Sequence, residues 1–121
     1  MITLKTLHKA TAQQVFDQIA THLLKQKRRS EGKGSGLCAY KSENGRKCAA
    51  GCLIADAEYK PEFEGNNWRD MISRHKVPSY HEELILTLQS LHDKVPPPEW
   101  CEGLRKIAKN YDLKATVTAG F

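Results

Sequence analysis

Long apolar segments are missing from this sequence: its hydrophobic runs are only a few residues long, far short of the roughly 20 that a membrane-spanning helix needs. The first residues, MITLKTLHKAT, also lack the apolar region and small-residue cleavage site of a secretory signal. These absences predict a protein that stays in the cytosol and does not enter a membrane. In that compartment its four cysteines are reduced thiols or metal ligands rather than disulfides.

Recognition motifs for nucleic acids and nucleotides are missing too. There is no helix-turn-helix or RNA-recognition pattern, and the glycines of EGKGSGLC are not followed by the G-K-[ST] of a P-loop. Aromatic residues make up only 7% of the chain, and Tyr40 is the one aromatic residue in its basic part. Because single-stranded nucleic acids are held largely by stacking on aromatic rings, sequence-specific reading of nucleic acid is weakly supported.

What the chain does contain is the apolar periodicity of a helical domain. Its 121 residues, 40% of them hydrophobic, predict one globular domain, 1–121, that is large enough to bury a core. Capping boxes at Thr11 with Gln14 and at Ser79 with Glu82 indicate where two helices begin. Apolar residues at helical spacing predict helices over residues 11–26, 79–93 and 98–111, and a shorter one over 68–75.

A β-hairpin is predicted in the middle of the chain. The segments LCAY and RKCA flank KSENG, and its Asn44-Gly45 pair favours positive φ angles. After it, residues 48–55 predict a short helix in which Gly51 allows another element to approach closely. The expected fold class is therefore α+β and predominantly helical: three to four helices packed with a small antiparallel β-hairpin. Residues 25–36 are predicted to be a flexible basic loop, and residues 112–121 a strand or a loose tail.

The positive charge is concentrated in one segment. The chain has a net charge of +5, and residues 25–47 carry eight basic residues against only two acidic ones. Such a patch indicates an acidic partner, either a protein surface, nucleic acid or a nucleotide. The predicted partner-binding residues are Lys25, Lys27, Arg28, Arg29, Lys33, Lys41, Arg46 and Lys47.

The four cysteines allow three interpretations. A zinc site could use Cys38, Cys48, Cys52 and Cys101, but C-x9-C-x3-C lacks the tight C-x2-C turn of structural zinc sites. Cys48 follows Arg46-Lys47 and begins an apolar helix-like run, where its pKa would be lowered; His81, or His92 with Asp93, would then serve as base. The favoured interpretation is that all four cysteines are small core residues, with no metal or other cofactor.

A second candidate surface lies in the acidic segment DAEYKPEFEGNN and just beyond it. Tyr59, Phe63 and Trp68 interleave with carboxylates there. Aromatic residues on an irregular segment more often cover a core than hold a ligand, yet loops also carry recognition. These three residues are therefore the candidate ligand surface.

Three stretches of the sequence resemble a family of small bacteriophage and prophage proteins without an assigned activity. They are QQVFDQIATHLL, CAYKSENGRKCAAGCLIADAEY and LHDKVPPPEWCEGLRKIAKNYDL, and the K-C-A-x-G-C-L-I block is the most specific part. The shared features fall on residues 14–24, 47–54 and 91–108, and the similarity extends over most of the chain. It implies a phage-encoded protein that acts in the cytoplasm of a host bacterium, and it carries over no catalytic residue.

These observations lead to an expected function that is not enzymatic. The protein is expected to bind a host protein, or a protein–nucleic acid complex, with an acidic surface and to inhibit or redirect it. Counter-defence, such as inhibition of a CRISPR effector or another immune protein, is the most concrete version. Two alternatives stay open: a protein that sequesters an anionic nucleotide signal, and a thiol-dependent enzyme centred on Cys48.

Overall fold

The computed structural model describes residues 1–32 and 38–120. Within these ranges the chain forms four α-helices, α1 (Ala12–Gln26), α2 (Trp68–His75), α3 (Glu82–Lys94) and α4 (Trp100–Asn110). Short 3₁₀ helices connect or flank them, at Leu7–Lys9, Ala50–Leu53, Pro61–Phe63, Pro97–Glu99 and Thr116–Gly120. None of the helices in these ranges is long and apolar enough to cross a membrane.

Helix α1 confirms its sequence prediction. The Thr11 hydroxyl accepts from the Gln14 N–H at 3.1 Å, and the Gln14 side chain accepts from the Thr11 N–H at 2.9 Å. This reciprocal capping satisfies two backbone donors that a helix start otherwise leaves free. At its other end, Lys27 takes a left-handed conformation with φ 59° and bonds back to the Leu23 carbonyl, which ends the helix.

The core lies between α1, α3 and α4. Helix α2 packs on α3, and the 3₁₀ helix Ala50–Leu53 packs against both α1 and α3. Residues 116–120 lie against α1, and nearby the Gln13 side chain bonds both the N–H and the carbonyl of Lys114. Among the fully buried side chains are Phe16, Ile19, Leu23, Leu53, Trp68, Met71, Ile85, Leu88, Trp100 and Leu104.

The predicted β-hairpin is wrong, and the described residues form an all-α fold without a β-strand. The turn itself is present: Gly45 has φ 84°, and Ser42 N–H bonds the Arg46 carbonyl at 2.8 Å. No ladder extends from it among the described residues, because the N–H groups of Tyr40 and Lys41 bond the Glu64 carboxylate and that of Lys47 bonds the Gln26 side chain. Over residues 1–32 and 38–120, strand-like pairing is confined to one isolated bridge between Glu31 and Cys38.

The predicted start of α3 is also wrong. The helix begins at Glu82 rather than near Ser79, and no side chain among the described residues caps it. His81 precedes the helix in a left-handed conformation, φ 60°, and its Nε2 lies 2.7 Å from the Ala10 carbonyl oxygen. The start of α3 is therefore marked by the contact between His81 and Ala10, which are distant in sequence, rather than by the predicted capping box of Ser79 and Glu82.

Gly51 does allow the close approach that the sequence predicted. A Cβ at this position would lie 2.2 Å from the Tyr40 carbonyl oxygen, far inside van der Waals contact. The 3₁₀ helix at Ala50–Leu53 therefore packs directly on the backbone of the preceding segment. Residues 33–36 of the predicted loop, and residue 121 of the predicted tail, lie outside the described residues.

Candidate interaction surface

The basic segment divides into exposed cations and cations with structural contacts. Lys25, Lys27 and Arg28 are exposed, and in the described part of the chain none of them forms an ion pair. They follow one another where α1 ends, so we name these three residues the cationic end of α1. The left-handed conformation of Lys27 turns the chain at this point.

Arg29 holds two parts of the structure together. Its Nε donates to the His92 carbonyl at 3.0 Å, and its Nη2 donates to the Val95 carbonyl at 2.9 Å. These acceptors lie at the C-terminal end of α3, where carbonyls lack helical partners and the helix dipole favours a cation. Arg29 thus caps α3 from a distant segment.

Lys41 and Lys47 converge on one carboxylate. Their ammonium nitrogens lie 3.3 and 3.2 Å from Asp56, and Lys47 also donates to the Ile54 carbonyl at 3.0 Å. Hydrogen bonds from Lys47 and then Lys41 hold the pKa of Asp56 below its usual value. Arg46 is partly exposed, and Lys33 lies outside the described residues. The sequence prediction therefore mixed two kinds of cation that differ in availability.

Burial raises the pKa of two of the cysteine thiols, Cys48 and Cys52, so both are weaker acids than a free thiol. Cys48 is fully buried, and burial together with a hydrogen bond to the Cys38 thiol raises its pKa well above the ordinary value. Burial raises the pKa of Cys52 to about 12, and its Sγ donates to the Ala49 carbonyl at 3.2 Å. Cys101 lies half-buried on α4. Over residues 1–32 and 38–120, no group of three or more potential ligands could hold a metal ion.

The candidate bases for a thiol enzyme are bonded elsewhere. His92 is buried; its Nδ1 lies 2.8 Å from Asp93 Oδ1, and its Nε2 accepts from the Ser30 N–H at 3.0 Å. The lone pair that would take a thiol proton is therefore engaged by the backbone. His81 bonds Ala10. The structure does bring His92 and Asp93 together, as part of the contact between residue 30 and α3.

The predicted aromatic surface is largely part of the core. Phe63 and Trp68 are buried, and only Tyr59 is partly exposed. The Tyr59 hydroxyl donates to Glu64 Oε2 at 2.6 Å, and Lys41 lies 5.8 Å from the ring centroid. The adjoining cavity of about 470 Å³ is lined by Lys41 and by three acidic residues, Glu31, Glu43 and Glu64. Acidic residues therefore outnumber the lysine in this described lining, which disfavours an anionic nucleotide there.

Sequence reasoning missed an apolar groove beside the cationic end of α1. The groove has a volume of about 580 Å³ and lies between the end of α1 and the beginning of α4. Its signal in the sequence was the Pro96-Pro97-Pro98 run, which places apolar rings immediately before α4. The lining residues are Leu23, Leu24, Lys27, Pro97, Pro98, Trp100, Cys101 and Gly120.

Comparisons with protein-family models, with curated proteins and with solved structures found no match to this chain.

Proposed function

We propose that this protein is a non-enzymatic binding protein, encoded by a bacteriophage, that inhibits or redirects a host factor in the bacterial cytoplasm. Its contact surface is the cationic end of α1, and its partner is a host protein, or protein–nucleic acid complex, with an acidic surface. The most concrete version is counter-defence against a CRISPR effector or another immune protein.

The observation that carries this proposal is the exposure of three cationic residues within four positions. Within the described residues Lys25, Lys27 and Arg28 form no ion pair, whereas Arg29, Lys41 and Lys47 all bond the protein itself. Exposed charges of one sign steer an oppositely charged partner and disfavour others. The phage context and the cytoplasmic site of action rest on the resemblance of the K-C-A-x-G-C-L-I block.

The two alternative functions have less support. A thiol enzyme centred on Cys48 would need an accessible thiolate, and Cys48 is fully buried with a raised pKa. A nucleotide-sequestering protein would need aromatic faces near its cations. Phe63 and Trp68 are buried; Lys41 does lie over the partly exposed Tyr59 ring, but acidic residues outnumber it in the lining of the adjoining cavity.

A charge-reversal experiment tests the proposal. The triple variant Lys25→Glu, Lys27→Glu and Arg28→Glu is immobilised beside the wild type and exposed to bacterial lysate, with and without nuclease. We expect the wild type to retain a host protein after nuclease treatment, and the variant to bind that protein at least about tenfold more weakly, because like charges then face each other. Arg29 stays unchanged, since its guanidinium stabilises the end of α3.

A matched control reverses three other exposed lysines, Lys5, Lys9 and Lys109. It changes the net charge by the same amount but leaves the cationic end of α1 intact, so it should retain the partner. Equal loss in both variants would mean that only net charge matters. Capture of nucleic acid without any protein, abolished by nuclease, would identify a nucleic-acid binder and contradict the proposal.

A further inference from the structure

The groove beside the cationic end of α1 combines an apolar surface with one positive charge. Its walls come from Leu23 and Leu24 on α1 and from Pro97 and Pro98 before α4. Lys27 is the one charged residue that lines it within the described part of the chain, and the exposed Arg28 follows directly. An occupant that matches both features has an apolar group that enters the groove and an acidic group next to it that faces Lys27 and Arg28.

The size of the groove suits a side chain rather than a flat surface. Its volume of about 580 Å³ falls within the range of roughly 300–1,000 Å³ that is typical of small-ligand pockets. A phenylalanine or leucine side chain fits such a space with room for the adjacent backbone. Bulky apolar anchors in pockets of this kind supply much of the binding energy at protein interfaces.

The other large cavities match this description less well. A groove of about 710 Å³ contains Lys25, but Asp17 also lines it, and its Gln18 and Gln26 side chains already bond backbone groups. The cavity beside Tyr59 carries three carboxylates. Only the groove at Lys27, among those of the described residues, pairs an apolar wall with an unopposed cation.

We propose that this groove takes one bulky apolar side chain from an acidic peptide segment of the partner protein, while Lys27 and Arg28 contact the flanking carboxylates. The inference rests on the proposed function and specifies the partner at the same surface. A nucleic acid is disfavoured as the occupant, because Trp100, the one aromatic residue that lines the groove among those described, is fully buried and offers no exposed face for a base.

Synthetic peptides test this proposal without the natural partner. A short fluorescein-labelled peptide with one phenylalanine flanked by aspartates and glutamates is compared with the same peptide carrying alanine in place of phenylalanine. A third version has lysines in place of the acids. We expect the phenylalanine peptide to bind at least about tenfold more tightly than the alanine peptide, since burying one large apolar side chain contributes about this factor. The lysine version should not bind.

Filling the groove provides the matching variant of the protein. A Cβ at Gly120 meets no atom of the described residues within 4 Å, and Gly120 lines the groove, so Gly120→Trp adds bulk there without changing the charge. We expect this variant to bind the phenylalanine peptide about tenfold more weakly and to lose its preference over the alanine peptide. Far-UV circular dichroism and a thermal melt confirm that the variant is folded.

Nuclear magnetic resonance gives a readout that requires no variant. The indole N–H of Trp100 donates to the Val95 carbonyl next to the groove, whereas Trp68 lies on α2 and does not line the groove. Addition of the phenylalanine peptide should shift the Trp100 indole signal and leave that of Trp68 in place. Unchanged Trp100 signals, or equal binding of the phenylalanine and alanine peptides, would overturn the inference.

The outcomes separate this inference from the proposed function. If charge reversal abolishes capture of the host protein while Gly120→Trp has no effect on peptide or partner, the groove is not the anchor site and the proposed function stands. If neither change affects capture, the proposed function fails as well. Binding of a single-stranded oligonucleotide in place of the acidic peptide would overturn both.

Discussion

In α1, α3 and α4 most backbone N–H groups bond to carbonyls of their own helix. Residues 38–67, which we call the irregular segment, differ, because several of their backbone N–H groups bond to side chains from distant positions. Glu64 accepts from the N–H groups of Tyr40 at 3.0 Å and Lys41 at 3.2 Å. Gln89 of α3 accepts from Ala50 N–H at 2.9 Å. Because buried or half-buried backbone donors must be satisfied, each such side chain replaces what a strand or helix would supply.

This contrast indicates that the two regions respond differently to substitution. A helical backbone is stabilised by apolar packing that adapts to small changes in side chains, while the irregular segment depends on a few directed contacts between particular atoms. Substitutions there should therefore cost more for the same change in volume or charge. Three predictions test the contrast, from the largest expected effect to the smallest.

The largest effect is expected for Gly51→Ala. The added Cβ would lie 2.2 Å from the Tyr40 carbonyl oxygen, and the backbone on either side must move to relieve the overlap. We expect the free energy of unfolding to fall by about 3 kcal/mol, near the upper end for overpacking, as measured by urea denaturation.

Gly103→Ala is the matched control for that prediction, because it adds the same methyl group inside α4. There the Cβ would lie 2.5 Å from Leu91 Cδ1, the end of a flexible side chain that has other rotamers available. Alanine also favours the helix by about 1 kcal/mol over glycine. A loss of stability as large as that of Gly51→Ala would show that the two regions do not differ in this way.

A smaller effect is expected for Glu64→Ala. Its carboxylate accepts from the N–H groups of Tyr40 and Lys41 and from the Tyr59 hydroxyl. The substitution removes the acceptor of all three partly buried donors. We expect a loss of about 2 kcal/mol in the free energy of unfolding. Glu62→Ala removes the same charge from an exposed position nearby and should change the free energy of unfolding by less than about 0.5 kcal/mol. If both variants lost a similar amount of stability, the effect would be due to charge alone.

The same contrast explains which features the sequence could predict. Helix α1 follows from local signals, since Thr11 and Gln14 lie within one turn of each other and cap the helix themselves. The Asn44-Gly45 turn formed for the same reason. Strands on either side of it would have to pair with each other, but side chains of Glu64 and Gln26 take the backbone N–H groups that such a ladder would use. Local chemistry predicted the turn and could not predict what lies around it.

The sequence predicted which segment carries the cations of the candidate site, but not which of these cations are exposed. Sequence located the basic segment, yet only tertiary contacts distinguish Arg29, bonded to the end of α3, from its exposed neighbour Arg28. Likewise Lys47 meets Asp56 only because the chain folds back on itself. The apolar groove was missed because its walls come from α1 and from the residues before α4, which are far apart in sequence.

The smallest effect is expected for the pH dependence that His22 confers on the contact between the two regions. His22 lies on α1, and its Nε2 donates to the Lys47 carbonyl of the irregular segment at 2.7 Å. Burial lowers the pKa of His22 below its ordinary value, which outweighs the opposing effect of that hydrogen bond. Protonation is therefore easier in the unfolded chain, whose histidines titrate near about 6.5.

The sign of this effect follows from proton linkage. Above about pH 6.5 His22 is neutral in both states, and its contribution to stability is fully present. As the pH falls below that value, the unfolded chain gains the proton first, so the free energy of unfolding decreases until the pH reaches the folded pKa.

His22→Gln keeps an N–H donor for Lys47 and removes the titration. Urea denaturation between pH 7.5 and 5.5 should give a shallower decline for this variant than for the wild type. His8→Gln removes an exposed histidine and should retain the wild-type decline; parallel profiles for wild type and His22→Gln would mean that the contact between α1 and the irregular segment does not depend on the protonation of His22.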